Sequence, residues 1–97
     1  IILIRALEPC SGVALMQRRR GREERKALCS GPGKLTQALG ITGADHCRDL
    51  VSGTAGFQAR SGPVRVEADR RIGINRSVDL PWRFLLAESP FVSRKKR

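Results

Sequence analysis

The stretch from Leu28 to Ile41 constrains the fold more than any other part of this sequence, because it has the pattern of one short, sharply bounded helix. Ser30 belongs to the residue types that cap helices, and Pro32 supplies the backbone angle of a first helical turn. Gly40 stands where a left-handed residue ends a helix. Between them the apolar residues recur at helical spacing on one face: Leu35, Ala38 and Leu39. The sequence therefore predicts a helix that Ser30 caps and Gly40 ends.

The start of this predicted helix has the features of a phosphate-binding site. Helix N-termini present unpaired backbone N–H groups and the positive end of the helix dipole. Gly31 lets a ligand approach the backbone closely, Gly33 leaves the first turn uncrowded, and Lys34 adds a cation. Two interpretations stay open on these residues alone: a phosphate site, or a capped surface helix with a solvated lysine.

The charge of the chain favours an anionic partner. Nineteen lysines and arginines against nine aspartates and glutamates give a net charge of +10, and nucleic acid is the usual partner of so basic a surface. The excess of arginine over lysine also fits codon bias. A membrane partner is disfavoured, because no segment pairs a basic face with a broad apolar one and no apolar run is long enough to span a bilayer.

The length and the first residues bear on domain organisation. Ninety-seven residues form at most one domain, so residues 1–97 are treated as one unit. The chain does not begin with methionine, and it opens on an apolar run. We therefore expect it to be a fragment of a longer domain.

The cysteines predict no metal site. Cys10, Cys29 and Cys47 lie 19 and 18 residues apart, whereas metal ligands usually come in close pairs. His46 precedes Cys47 directly, and neighbouring residues rarely face each other as a catalytic pair. An odd number of cysteines fits free thiols in a reducing, intracellular compartment. The sequence thus predicts no metal site and assigns these cysteines no chemistry.

The apolar run from Ile1 to Leu7 predicts a buried strand, interrupted by Arg5. A buried cation is costly unless it is paired. Arg5 therefore requires a carboxylate, a phosphate or another polar site. Glu8 is close in sequence and would make such a pair purely structural, so a structural and a functional role for Arg5 both stay open.

Two segments follow before the predicted phosphate site. Ser11 offers an N-cap to a helix that carries Val13, Leu15 and Met16. The run from Arg18 to Lys26 is mostly arginine and is broken at Gly21, which indicates a basic loop or a helix end. Such runs are usually solvated, but this one leads into the predicted helix start and would add positive charge there.

The second half of the chain predicts strands. Residues 64–68 alternate with period two, and residues 82–87 form an apolar closing segment. Residues 72–74 predict a short strand in which Gly73 marks a bulge or a place where a ligand meets the backbone. One more short strand fits around Phe57. The order of elements predicts an α+β fold with mostly antiparallel pairing.

Several segments, in this order, make the sequence similar to the second half of the alkyladenine (3-methyladenine) DNA glycosylase family. They are residues 3–9, 28–41, 71–74 and 81–84, followed by 88–93. The resemblance covers nearly the whole chain, and residues 18–25 and 44–63 match loosely. It implies a curved, mostly antiparallel sheet with short flanking helices, of the roll or open-barrel type, of which this chain is the C-terminal part.

The resemblance implies base-excision repair of double-stranded DNA by a monomeric enzyme without metal or cofactor. Such enzymes flip an alkylated purine of the 3-methyladenine type out of the stack and hydrolyse its N-glycosidic bond. The counterpart of Arg5 in the family helps position the attacking water, and that of Ile72 contacts the water through its backbone carbonyl. The residues that match the family's DNA contacts are Ser30, Gly31, Gly33, Lys34 and Gly73.

The sequence departs from the family in what it lacks. The catalytic glutamate of the family, the aromatic residues that stack on the flipped base and the tyrosine inserted into the duplex all precede the matched half. This chain has no tyrosine, and Glu8 and Glu67 stand in other motifs. We therefore expect half an active site, inactive by itself. The alternative function is a stand-alone, non-catalytic nucleic-acid-binding module.

Overall fold

The computed structural model describes residues 1–52, 56–59, 62–72 and 75–92. In these residues three α-helices precede a two-stranded antiparallel sheet. The elements are α1 (Val13–Arg20), α2 (Arg25–Leu28), α3 (Pro32–Leu39), a 3-10 turn at Gly43–Asp45, β1 (Val66–Asp69) and β2 (Arg83–Leu86). The predicted α+β class is confirmed. None of the helices in these ranges is both long and apolar enough to cross a membrane.

Helix α1 begins one residue later than a cap at Ser11 would place it, and it ends before Gly21, where the sequence indicated a break. The predicted cap at Ser11 is wrong, because Gly12 occupies the N-cap position in the left-handed region, at φ 70°. Gly21 is also left-handed, and its N–H donates to the Gln17 carbonyl. The first part of the arginine run is therefore a helix end, and the rest leads into α2, a helical turn that was not predicted.

The core lies where the three helices meet. Leu28 and Ala38 are completely buried, and Cys29 and Leu35 are nearly so. Val13 and Met16 of α1 pack against them. Leu39, predicted on the same face, is 39% exposed. Leu28 and Cys29, which end two residues before the N-cap of α3, are thus buried in the same core as Leu35 and Ala38 of that helix.

Cys29 is expected to be protected from thiol reagents, whereas Cys10 and Cys47 are exposed and should react within the mixing time. Burial raises the pKa of the Cys29 thiol, and the nearby Arg20 cation opposes this only in part. The neutral thiol therefore stabilises the fold below its unfolded-state pKa, and this contribution is lost as pH rises through the raised pKa. A chromogenic disulfide reagent applied to Cys10→Ser/Cys47→Ser protein measures Cys29 alone. A rate equal to that in denaturant would contradict this account of the core.

The two strands pair so that the polar side of β1 faces inward. Asp69 lies opposite Arg83, and Val66 lies opposite Leu86. Period-two alternation is present as predicted, but Val66 is 57% exposed while the Asp69 side chain is 10% exposed. The cause is an ion pair of 3.5 Å between Asp69 Oδ2 and Arg83 Nη1. Since cross-strand partners share a face, the other face is apolar and exposed.

Two of the predicted strands are not strands in the described residues, and a third lies mostly outside them. Residues 1–7 lie outside any strand, and Ile1, Ile2 and Leu3 are exposed. An apolar run forms a strand only if its backbone finds a ladder partner, and β1 and β2 pair with each other alone. Phe57 is 61% exposed, in a loop. Ile72 is buried but irregular, and Gly73 and Ile74 lie outside the described residues.

Candidate functional site

Helix α3 begins without a side-chain cap. Gly31, not Ser30, is the N-cap, and Pro32 is the first helical residue. The predicted cap is wrong by one position, because the Gly31 carbonyl accepts the N–H of Leu35 at 2.8 Å and so closes the first helical turn. No side chain bonds to the first-turn amides, and the first turn carries no acidic residue. The amides of Gly33 and Lys34 are therefore available to an anion.

Space and charge at this helix start also fit an anion. A Cβ placed on Gly33 would meet nothing within 4 Å, so the approach to the backbone is open. A Cβ placed on Gly31 would lie 3.6 Å from Cδ of Lys34, which shows that the lysine stem folds back over the N-cap. An exposed cation and free amides at the positive end of a helix dipole can bind a phosphate together.

The end of α3 is closed as the sequence predicted. Gly40 is left-handed at φ 70°. Its N–H donates to the Gln37 carbonyl at 3.2 Å, and the N–H of Ile41 donates to the Thr36 carbonyl at 2.8 Å. This pair of bonds is the Schellman motif.

Arg19 and Arg20 have structural partners that sequence reasoning missed. Arg19 Nη1 donates to the Ala38 carbonyl in the last turn of α3 at 3.0 Å. Arg20 donates to the Ala27 and Leu28 carbonyls at the end of α2, each at 3.2 Å. Cations are favourable at helix C-termini. These two arginines are thus neither merely solvated nor placed at the predicted phosphate site, and the available signal was their position before a helix-ending glycine.

A groove of about 930 Å³ forms a second candidate region. Its walls are residues 1–8 on one side, and Arg71, Ile72 and β2 with neighbouring residues on the other. Arg5 and Ile72, both predicted to position the attacking water, line this one groove. Ile72 is buried and Arg5 is half-buried. The fold therefore brings together two residues that are far apart in the sequence.

The three arginines that line the groove differ in their partners. Arg83 pairs with Asp69, and Arg71 lies 5.7 Å from the centroid of the Trp82 ring, within cation–π range. Arg5 has no ion pair or hydrogen bond within residues 1–52, 56–59, 62–72 and 75–92. Glu8 is not its partner, and its carboxylate instead lies 4.0 Å from Cys10 Sγ. The structure thus leaves Arg5 available to a group in the groove.

The groove and the start of α3 are linked through the backbone. The N–H of Leu7, at the end of the groove wall, donates to the carbonyl of Cys29 at 3.0 Å. Cys29 lies two residues before the N-cap of α3 and is 2% exposed. This bond joins the groove wall directly to the buried segment that leads into α3.

The sequence matches one protein family over almost its whole length. The family model of methylpurine-DNA glycosylase aligns with residues 1–90. The chain belongs to the methylpurine-DNA glycosylase family. The match includes α1 to α3, both strands and every predicted site residue.

Curated relatives with similar sequences support the same family assignment. A protein named 3-methyladenine DNA glycosylase from Rhodopseudomonas palustris is 50% identical over 93 residues, which are 96% of this chain and 45% of the relative. A protein of the same name from Agrobacterium fabrum is 46% identical, covering 97% of this chain and 49% of the relative. The protein of this name from Chlorobaculum tepidum is 43% identical, covering 96% of this chain and 46% of the relative. The chain spans about half the length of these relatives and matches their C-terminal part.

The described ranges hold no cluster of three histidine, cysteine, aspartate or glutamate residues that could bind a metal ion. All three cysteines are free thiols. The polar side chains that line the groove are those of Arg5, Arg71 and Arg83, together with Glu8 and Ser89.

Proposed function

We propose that this chain is the C-terminal part of a monofunctional DNA glycosylase that removes alkylated purines, of the 3-methyladenine type, from double-stranded DNA. The observation that carries the proposal is that Arg5 and Ile72 line one groove in a member of the methylpurine-DNA glycosylase family. The enzyme acts as a monomer, inside the cell, and uses no metal or cofactor.

In this proposal the start of α3 binds a backbone phosphate. The free amides of Gly33 and Lys34 donate to phosphate oxygens, and the ammonium group of Lys34 neutralises charge. The net charge of +10 draws the protein to DNA before a specific contact forms. Ser30 and Gly31 contribute backbone to this contact, and Gly73 is proposed to lie at the DNA as well.

The groove contributes to the chemistry of base release. Water attacks C1′ of the flipped nucleotide, the N-glycosidic bond breaks, and the purine leaves with the bonding electrons. The guanidinium of Arg5 holds the water beside a carboxylate that accepts its proton, and the carbonyl of Ile72 accepts a second hydrogen bond from the water. The family resemblance implies that this carboxylate is a glutamate of a preceding part of the domain, and the chain spans only about half the length of its relatives.

The phosphate contact is tested with Lys34→Ala in the full-length glycosylase, meaning this chain together with that preceding part. We expect weaker binding to alkylated and undamaged duplexes alike. The slope of log affinity against log salt concentration should fall by about 1, because one phosphate contact is lost. The measurement is a fluorescence-anisotropy titration at several salt concentrations.

Lys26→Ala is the matched control for this titration, since Lys26 is exposed, lies in α2 and loses the same charge. It should leave the salt slope nearly unchanged. An unchanged slope in Lys34→Ala together with an altered preference for the lesion would show that Lys34 contacts the base and not a phosphate.

A further inference from the structure

We infer that Arg20 is a positioning residue for the DNA contact at the start of α3. The inference rests on the proposed function, because it assumes that this helix start binds phosphate. Arg20 belongs to the arginine run from Arg18 to Lys26, and the catalytic proposal gives it no role.

The guanidinium of Arg20 connects the two helices on either side of the turn at residues 29–31. Its Nε and Nη2 donate to the carbonyls of Leu28 and Ala27, the last residues of α2. Its Nη1 donates to Oε1 of Gln37 in α3 at 2.9 Å. The turn that leads into the phosphate site is therefore spanned by one side chain, which fixes the angle between α2 and α3.

A second set of bonds holds α3 against the same end of α1. Gln37 Nε2 donates to the Arg19 carbonyl at 3.1 Å, and Arg19 Nη1 donates to the Ala38 carbonyl. Because α3 has only eight residues, a change in its tilt at Gln37 is transmitted to the amides of Gly33 and Lys34. The position of the anion site thus depends on bonds at the far end of its helix.

The geometry distinguishes this role from direct DNA binding. The donors of Arg20 are directed to three protein acceptors, and the residue is half-buried. A lysine could not replace it, because a single ammonium group does not have the planar fork that reaches three acceptors in different directions. Arg18, in the same last turn of α1, is exposed and its side chain makes no hydrogen bond within the described ranges, so it is a matched control.

The test is a double-mutant cycle in the full-length glycosylase, with affinity for undamaged duplex as the readout. Arg20→Gln should weaken binding about tenfold more than Arg18→Gln, although both lose one charge. Arg20→Lys should not restore the affinity. Lys34→Ala should have a smaller effect in the Arg20→Gln background than in the wild type, since the phosphate contact is already displaced. Gln37→Ala replaces Arg20→Gln in the cycle if the latter does not fold.

The inference fails if Arg20 and Lys34 act independently or if Arg20 acts only through its charge. Independent effects of Arg20→Gln and Lys34→Ala, or equal effects of Arg20→Gln and Arg18→Gln, would overturn the inference. A merely structural role would lower the melting temperature without coupling to Lys34. If Lys34→Ala does not change binding in the wild type, the proposed phosphate contact itself fails, whatever Arg20 does.

Discussion

Arg5→Ala in the full-length glycosylase is expected to slow the single-turnover excision of 3-methyladenine by about 10²–10³-fold while the melting temperature stays near that of the wild type. The expected rate loss is that of removing one preorganised charge beside the attacking water. Little stability should be lost, because Arg5 forms no ion pair within the described residues and Glu8 is not its partner. Single-turnover kinetics at saturating enzyme separate this effect from DNA binding.

Two variants complete this experiment. Arg5→Lys should remain slow, because a point charge does not replace a planar fork that bridges a carboxylate and a water. Glu8→Gln is the matched control and should retain the wild-type rate, since the carboxylate of Glu8 does not pair with Arg5 in the structure. A large fall in melting temperature with the rate preserved would assign Arg5 to a structural role.

Asp69→Asn is expected to reduce the free energy of unfolding by about 3–5 kcal/mol, because it removes the carboxylate from a buried ion pair with Arg83. The Arg83 side chain is 7% exposed and that of Asp69 is 10% exposed. Urea denaturation of the full-length protein measures the change.

Two further variants test whether the loss comes from breaking this buried ion pair. Asp69→Leu combined with Arg83→Met removes both charges and should recover most of the stability. Glu88→Gln removes a carboxylate from an exposed pair with Arg65, at 3.8 Å, and should cost about 0–1 kcal/mol. A loss in Asp69→Asn no greater than in Glu88→Gln would show that the buried pair does not hold the strands together.

Local sequence signals predicted the helices better than the sheet. Pro32 and Gly40 bound α3 as expected, because helix starts and left-handed ends depend on residues within one turn. The cap at Ser30 was misplaced by one residue, since serine and glycine both occupy N-caps and only the backbone bond at Gly31 decides between them. Closing strand β2 was also predicted nearly in place.

Features that depend on distant residues were not predicted. The inward face of β1 is set by Arg83 on the partner strand, and the alternation of residues 64–68 alone does not show which face is buried. The run from Ile1 to Leu7 has the composition of a strand, but in the described residues it has no ladder partner. The bonds of Arg20 require the ends of α1 and α2 to meet α3, which no local pattern encodes.

Of the two candidate regions, one is built from neighbouring residues and the other from residues that are distant in the sequence. The anion site at the start of α3 follows from neighbouring residues, so its composition could be read from the sequence. The groove joins Arg5 to Ile72 across most of the chain, and only the family resemblance linked these two residues beforehand. Their assignment to the attacking water remains a proposal.

The exposed apolar surface fits a chain that packs against further protein. Val66, Phe84 and Leu86 are exposed on one face of the sheet, and Ile1, Ile2 and Leu3 are exposed in the wall of the groove. Contiguous apolar surface is a usual mark of an interaction site. We propose that the preceding part of the domain covers it and completes the curved, mostly antiparallel sheet.

Base release from alkylated DNA tests the central claim most directly. Methylated duplex is incubated with the full-length glycosylase, with the 97-residue chain alone or without protein, and free 3-methyladenine is measured by chromatography. We predict release by the full-length glycosylase and none above the protein-free level by the chain alone. Release by the chain alone would contradict the claim that its catalytic carboxylate comes from the preceding part of the domain. A full-length protein that binds DNA but releases no base would instead be a non-catalytic nucleic-acid-binding module.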